Sequence, residues 1–169
     1  GEPGAASGTG AETPVELVAR AEAALASMAG AHFRTASLRP TGVFGPGRPQ
    51  KWASLISDFL NGNPAPPRVA TEVHGADLAA AILLLLDQPD PPAQVNCSDL
   101  VLDRHDLLAE VRALTDCPHP LPRRADPAPL RVQRCDRLRT MGWQPGGTAR
   151  LGAALPGLLA SSLSKYPRG

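Results

Sequence analysis

Leu38-Arg39-Pro40-Thr41-Gly42-Val43-Phe44-Gly45-Pro46-Gly47 is the stretch whose reading decides the fold of this chain. Residues 33 to 38 just before it alternate between apolar and polar side chains, the period-two signature of a strand, and Arg39-Pro40 closes that run. Pro40 has a fixed φ and no N–H, whereas Gly42, Gly45 and Gly47 let backbone come close to a flat ligand. The run therefore reads as a strand that enters a functional loop. A tight turn is the plainer reading of the same glycines.

Working outward, Thr13-Pro14-Val15-Glu16 carries the parts of a capping box, with Pro14 at the first helical position. A helix to about residue 28 follows, and Gly30 stops it. Its apolar positions Leu17, Ala21, Ala24, Leu25 and Met28 recur at helical spacing, so at least one face is expected to be buried. On the other side of the loop, residues 52 to 60 form a short amphipathic helix that ends at Asn61-Gly62, and the prolines from 64 to 67 forbid its continuation. Residues 66 to 72 read as a loop. A helix begins near Asp77, and its apolar positions 78 to 86 extend all round, which predicts burial on most sides. Residues 94 to 96 read as a second strand of the sheet, and Asp103 caps a helix from 104 to 114. Five prolines between 118 and 129 dictate an irregular segment. Val132 is assigned to a short strand, residues 136 to 141 to a helical turn, and residues 150 to 163 to a last helix disturbed near Pro156.

The chain has 169 residues, enough for one domain with a real core; 43% of them are hydrophobic but only 4% aromatic, which predicts a helix-rich aliphatic interior. A net charge of +1 argues against nucleic acid or a membrane surface as partner, since either needs a clustered basic surplus. The densest basic stretch, 131 to 139, is interrupted by Asp136 and reads as a solvated face; the functional alternative is contact with phosphate. Cys97, Cys117 and Cys135 lack the paired spacing of a zinc site and read as reduced thiols of a cytoplasmic protein. No apolar run reaches the length of a membrane span.

Four stretches together resemble the extended short-chain dehydrogenases/reductases, the NAD(P)-dependent sugar epimerase/dehydratase family. The opening run resembles that family's R-P-x-x-V-[YF]-G-P-G segment. Val73-His74-Gly75-Ala76-Asp77-Leu78-Ala79-Ala80-Ala81 is similar to V-H-V-x-D-[LV]-A-x-A, and Val95-Asn96-Cys97-Ser98 to [YV]-N-[VI]-[SG]. Arg137-Leu138-Arg139-Thr140-Met141-Gly142-Trp143-Gln144-Pro145 is similar to R-L-R-x-L-G-W-x-P. The resemblance implies an α/β, Rossmann-like parallel sheet, of which this chain carries the C-terminal half, followed by a small α-rich substrate subdomain. It divides the chain into a leader of residues 1–12, the Rossmann-like part at 13–100, the substrate-type subdomain at 101–163 and a tail at 164–169. It further implies NAD or NADP as cofactor, with Arg39, Pro40, Thr41 and Val43 beside it, and a small-molecule substrate met by Arg48 and Arg68. His74 is expected to be structural, orienting the corner between strand and helix.

The family's chemistry requires a Tyr and a Lys one helical turn apart, so that the ammonium can lower the phenol's pKa and the phenol can exchange a proton with substrate. Aligned on Glu12-Thr13-Pro14, the Tyr position is Val18 and the Lys position Glu22. The only tyrosine is Tyr166 and the only lysines are Lys51 and Lys165. The phosphate-binding fingerprint is missing as well: residues 4 to 10 have the glycines but no preceding strand, and read as a flexible leader. Three functions follow as expectations. One is a divergent or truncated oxidoreductase homologue whose cofactor half lies elsewhere. Another is a catalytically inactive structural or assembly subunit that keeps the fold, and the last is a regulatory binder of NAD(P)H. A half-sheet leaves an open edge, so a homo-oligomer or a partner chain is expected to cover it.

Overall fold

The structure, a computed structural model, describes residues 13 to 47 and 50 to 165. Helix α1 is Pro14–Ser27, and its N-terminus is closed as the sequence dictates. The Thr13 N–H donates to Glu16 Oε2 at 2.7 Å, and the Glu16 N–H donates to Thr13 Oγ1 at 3.3 Å. The expected buried face is not there. No residue of α1 is buried, and Val15, Val18 and Met28 are more than half exposed.

Strand β1 is Ser37–Pro40, four residues later than the alternation starting at 33 places it. Residues 30 to 33 instead close on themselves through an isolated bridge between Gly30 and Phe33, which takes Phe33 out of the sheet. β1 pairs in parallel with β4, Gln94–Cys97, in the register Leu38 to Val95 and Arg39 to Asn96. The N–H groups of Ser37 and Thr41 donate to Ala93 O and Cys97 O at 2.9 and 3.0 Å. By the period of two, Leu38 and Pro40 turn their amide positions to the opposite edge, which no strand among the described residues covers.

A second sheet has the order β2-β3-β5. β2 is Gly42–Phe44 and runs parallel to β3, Val69–His74, while β5, Leu100–Asp103, is antiparallel to β3. The loop expected at 66 to 72 is therefore largely strand. Its inward residues Glu72 and His74 are polar, and that polarity hides the strand from a hydrophobicity pattern. No strand forms at Val132, which is exposed.

The helices are α2 at Ala53–Leu60, α3 at Gly75–Leu86, α4 at Arg104–Thr115, α5 at Asp136–Thr140 and α6 at Gly147–Lys165. α6 begins three residues earlier than expected and runs through Pro156. α3 buries Ala81 and Leu85 but exposes Ile82, Leu83 and Leu86, so its all-round apolarity is not matched by burial on most sides. One apolar cluster joins α2, α4 and α6 through Ile56, Phe59, Leu107, Leu108, Leu155 and Leu158. Another joins β3, α3, β4 and the 135–143 segment through Val73, Ala81, Val95, Leu138 and Trp143. Apolar area removed from water, at about 25 cal/mol per Å², is what holds these layers against the entropy of the chain.

Candidate functional site

α1 meets the sheet chiefly through one carboxylate. Glu22 accepts a hydrogen bond from Arg39 Nε at 2.6 Å and forms an ion pair with the same guanidinium through Nη2. Ser37 Oγ donates to it too, and Gln94 Nε2 approaches at 3.5 Å. Ser37 and Arg39 reach the same carboxylate because they are two apart on β1 and share a face. The side chain of Glu22 is only 9% exposed. Hydrogen bonding from Arg39, then from Ser37, outweighs burial and holds its carboxyl down at about 2, while Arg39 is raised in return.

The residues expected beside a nicotinamide divide on this point. Arg39 and Pro40 lie in β1 itself rather than in the loop beyond it, because their ladder with Asn96 and Cys97 continues the strand to Pro40. Arg39 is also committed to Glu22. Thr41 follows the strand and lies 3.3 Å from Ser98 Oγ, and Val43 is in β2, 40% exposed. Val18 carries no titratable group. Among Val18, Arg39, Pro40, Thr41 and Val43 there is thus no uncommitted cation and no group that titrates as a phenol does. The glycines of residues 4 to 10, Arg48 and Tyr166 lie outside the described residues.

Arg68 stands elsewhere, in a cavity of about 270 Å³ between α2 and the second sheet. The antiparallel register of β3 with β5 matches Val69 to Asp103, which brings Arg68 next to Arg104. The Arg104 N–H donates to Arg68 O at 2.8 Å, and its guanidinium donates to Pro66 O at 2.7 Å. Burial, then the charge of Arg68, lowers the pKa of Arg104. On the other wall Lys51 is ion-paired with the buried Glu72. Lys51 and Glu72 neutralise each other, so the two arginines leave the cavity with net positive charge. The sequence shows no local signal for Arg104 as a site residue, since only the long-range pairing of β3 and β5 places it here.

The corner at the end of β3 is a joint between segments. His74 caps α3, its Nδ1 accepting from the Ala76 N–H at 3.1 Å, as expected of a structural histidine. Burial pushes its pKa down, with Asp77 acting against that and Arg150 with it. Asp77 is buried, accepts from the Gly146 N–H at 3.2 Å and is ion-paired with Arg150, whose Nε lies 3.1 Å from Oδ1. Trp143 Nε1 donates to the backbone oxygen of Asp77 at 2.8 Å. Asp99 Oδ2 accepts from the Gly147 N–H at 2.9 Å. Among the described residues no cluster of three His, Cys, Asp or Glu side chains is placed to hold a metal ion, and no helix is long and apolar enough to cross a membrane.

No protein-family model matches the sequence and no curated protein matches it. Its fold, however, matches solved structures. RMD from Pseudomonas aeruginosa, solved with NADPH, superposes with a TM-score of 0.66 at 20% identity, covering 89% of this chain and 54% of that one. MoeE5, in complex with UDP-glucuronic acid and NAD, gives a TM-score of 0.64 at 21% identity over 88% of this chain and 55% of its own. The Bordetella bronchiseptica enzyme WbmG, in complex with NAD and UDP, gives 0.60 at 21% identity over 80% and 46%. The chain thus has an α/β fold of the kind seen in NAD-dependent epimerases, dehydratases and reductases. It spans about half the length of the structures it matches.

Proposed function

We propose that this chain is an epimerase/dehydratase-like, substrate-side half-fold that binds an anionic small molecule and does not itself carry the hydride-linked proton transfer. One observation carries the reading: Glu22, at the position where the resemblance calls for a lysine, is locked to Arg39 and Ser37. An ammonium there lowers a phenol's pKa; a carboxylate raises the pKa of any acid beside it and so works against the same chemistry. Val18 completes the loss. The Arg68–Arg104 cavity supports the binding part, because two adjacent cations without a carboxylate between them favour an anionic group. UDP and UDP-sugars, which WbmG and MoeE5 bind, are the first ligands to try.

A second reading keeps catalysis but moves it: NAD(P) binding and the acid/base come from residues outside those described, and this chain positions substrate. The retained Gly42 to Gly47 segment favours it. Incubating the full chain with NAD⁺ or NADP⁺ and a panel of UDP-sugars, and following nicotinamide absorbance, separates the two. No turnover together with saturable UDP binding is expected. Turnover that disappears on Glu22→Gln or Arg39→Gln would overturn the proposal.

A further inference from the structure

The pairing of β1 with β4 gives their sheet two unlike faces. Ser37 lies beside Gln94 and Arg39 beside Asn96, so these four side chains share one face, while Leu38, Val95 and Cys97 on the other join the apolar core. Parallel strands ordinarily carry apolar residues on both faces, because helices cover both. Here one face is polar throughout, which packing alone does not require. A cavity of about 280 Å³ opens on that face, between Arg39, Gln94 and Asn96 of the sheet and Arg134, Asp136 and Arg137 of the basic stretch at 131 to 139.

Most of the charge in this cavity is cancelled. Arg39 is held by Glu22, and Arg134 Nη2 lies 2.7 Å from Asp136 Oδ2. Arg137 is the exception, since no carboxylate among the described residues pairs with it. Its Nη1 donates to the backbone oxygen of Gln94 at 2.6 Å, which anchors the guanidinium to the start of β4. The edge formed by Nε and Nη2 is left without an acceptor among the described residues. The chain behind it is fixed as well: Asn96 Nδ2 donates to Arg134 O at 3.3 Å, the Ser98 N–H donates to Cys135 Sγ at 3.1 Å, and Leu138 is buried.

The open edge of a guanidinium presents two parallel N–H bonds at the spacing of the two oxygens of a carboxylate. With Arg39 and Arg134 neutralised, the cavity carries one net positive charge, which one negative charge balances. A second charge on a ligand would meet the carboxylates of Glu22 and Asp136. The amides of Gln94 and Asn96 suit hydroxyl groups better than hydrocarbon. The volume, at the lower end of small-molecule sites, leaves room for about one sugar ring.

We propose that this cavity binds a small polar monocarboxylate, a hydroxy acid or sugar acid, through a two-point contact between its carboxylate and the Nε–Nη2 edge of Arg137. The site shares no residue with the cationic cavity at Arg68 and Arg104, and the inference stands whether or not the proposed function does.

The test uses the isotope-labelled full chain at low ionic strength and three probes that differ only at carbon 6 of one ring: glucuronate, neutral glucose and the dianion glucose 6-phosphate. Titration is followed by NMR at the Nε–H of Arg137. A saturable shift with glucuronate is expected, with a dissociation constant of about 1 mM, and at least about tenfold weaker binding of glucose. Arg137→Lys keeps the charge but loses the fork, and should reduce the preference for glucuronate over glucose, read from the amides of Gln94 and Asn96. The Arg137 shift should persist in Arg68→Ala. Equal response to glucuronate and glucose overturns the proposal, and this comparison needs no variant to fold. So does a shift that fails to saturate by about 10 mM. Binding of glucose 6-phosphate as tight as that of glucuronate overturns the monocarboxylate class, and an undiminished preference in Arg137→Lys overturns the two-point contact. Loss of the Arg137 shift in Arg68→Ala would show that the anion is held at the other cavity.

Discussion

Asp77→Ala tests the joint that ties the 143–150 segment to α3. The carboxylate is buried and serves three purposes: it accepts the Gly146 N–H, it pairs with Arg150, and it sits in the first turn of α3 where the helix dipole favours negative charge. The bond to Gly146 is charge-assisted and partly buried, worth about 1.5 kcal/mol. Arg150 has a side chain 42% exposed, so water recovers much of its loss and its share is about 1 kcal/mol. The dipole adds about 0.5 kcal/mol. Together these amount to about 3 kcal/mol, a large part of the 5–15 kcal/mol typical of a domain. At a urea slope of about 2 kcal/mol per M, the unfolding midpoint should fall by about 1.5 M. Trp143 reports directly, since its indole donates to the backbone of residue 77. Arg150→Ala alone should cost about 1 kcal/mol, and a double-mutant cycle should show coupling above about 0.5 kcal/mol. A midpoint lowered by less than about 0.5 M, or strictly additive effects, would sink the assignment of Asp77 as the joint.

Three further outcomes are expected. The Glu22 carboxyl sits at about 2 when folded against an ordinary 4.5; the contact it makes is complete above about 4.5 and is lost as pH falls through about 2. Amide exchange in α1 should therefore accelerate across that window ahead of α4, and equal acceleration of the two helices would contradict a carboxylate-held α1. Burial pushes the Cys97 thiol up to about 12 and raises Cys135 as well, and all three cysteines are buried. Since the thiolate is the reactive form, a chromogenic disulfide reagent at pH 8 should label the native chain slowly and the urea-unfolded chain quickly; comparable rates would be the adverse result. Arg68→Ala or Arg104→Ala should weaken UDP binding by about 10- to 100-fold, the cost of a charge-assisted bond, without lowering the unfolding midpoint by more than about 0.5 M; unchanged affinity in calorimetry removes the cavity from consideration.

What the sequence made legible was local. Thr13, Pro14 and Glu16 specify the start of α1 within one turn, and Asp103 specifies that of α4, its Oδ1 accepting from the His105 N–H at 2.8 Å. Asn61 and Gly62 end α2, Gly62 with φ of +80°. The apolar stripe of α1 was equally legible, but a periodic pattern says which face is apolar and not what lies against it. β3 is hard to see in the sequence because prolines run up to its start and its buried residues Glu72 and His74 are polar. The start of β1 is not legible in the sequence, because Phe33 continues the alternation yet is held in a bridge with Gly30. The cationic cavity was half legible: Arg68 stood out, whereas Arg104, 36 residues along the chain, joins it only through the β3–β5 register. Likewise the replacement of a lysine by Glu22 was visible, but its capture by Arg39 required the sheet.

Pro40 changes what the open edge of β1 can become. Ser37 and Thr41 already spend their N–H groups on the β4 side, and at the outward positions Leu38 has a donor and Pro40 has none. A strand arriving at this edge thus finds a single amide hydrogen to bond, and its ladder cannot propagate past the proline. Repeated edge-to-edge stacking of copies needs donors in series along the strand, as in cross-β assembly, and this edge does not offer them. The half-sheet can stay open without becoming a template for fibres. A strand that covers it meets one N–H, that of Leu38, and bonds otherwise through the carbonyls of Leu38 and Pro40.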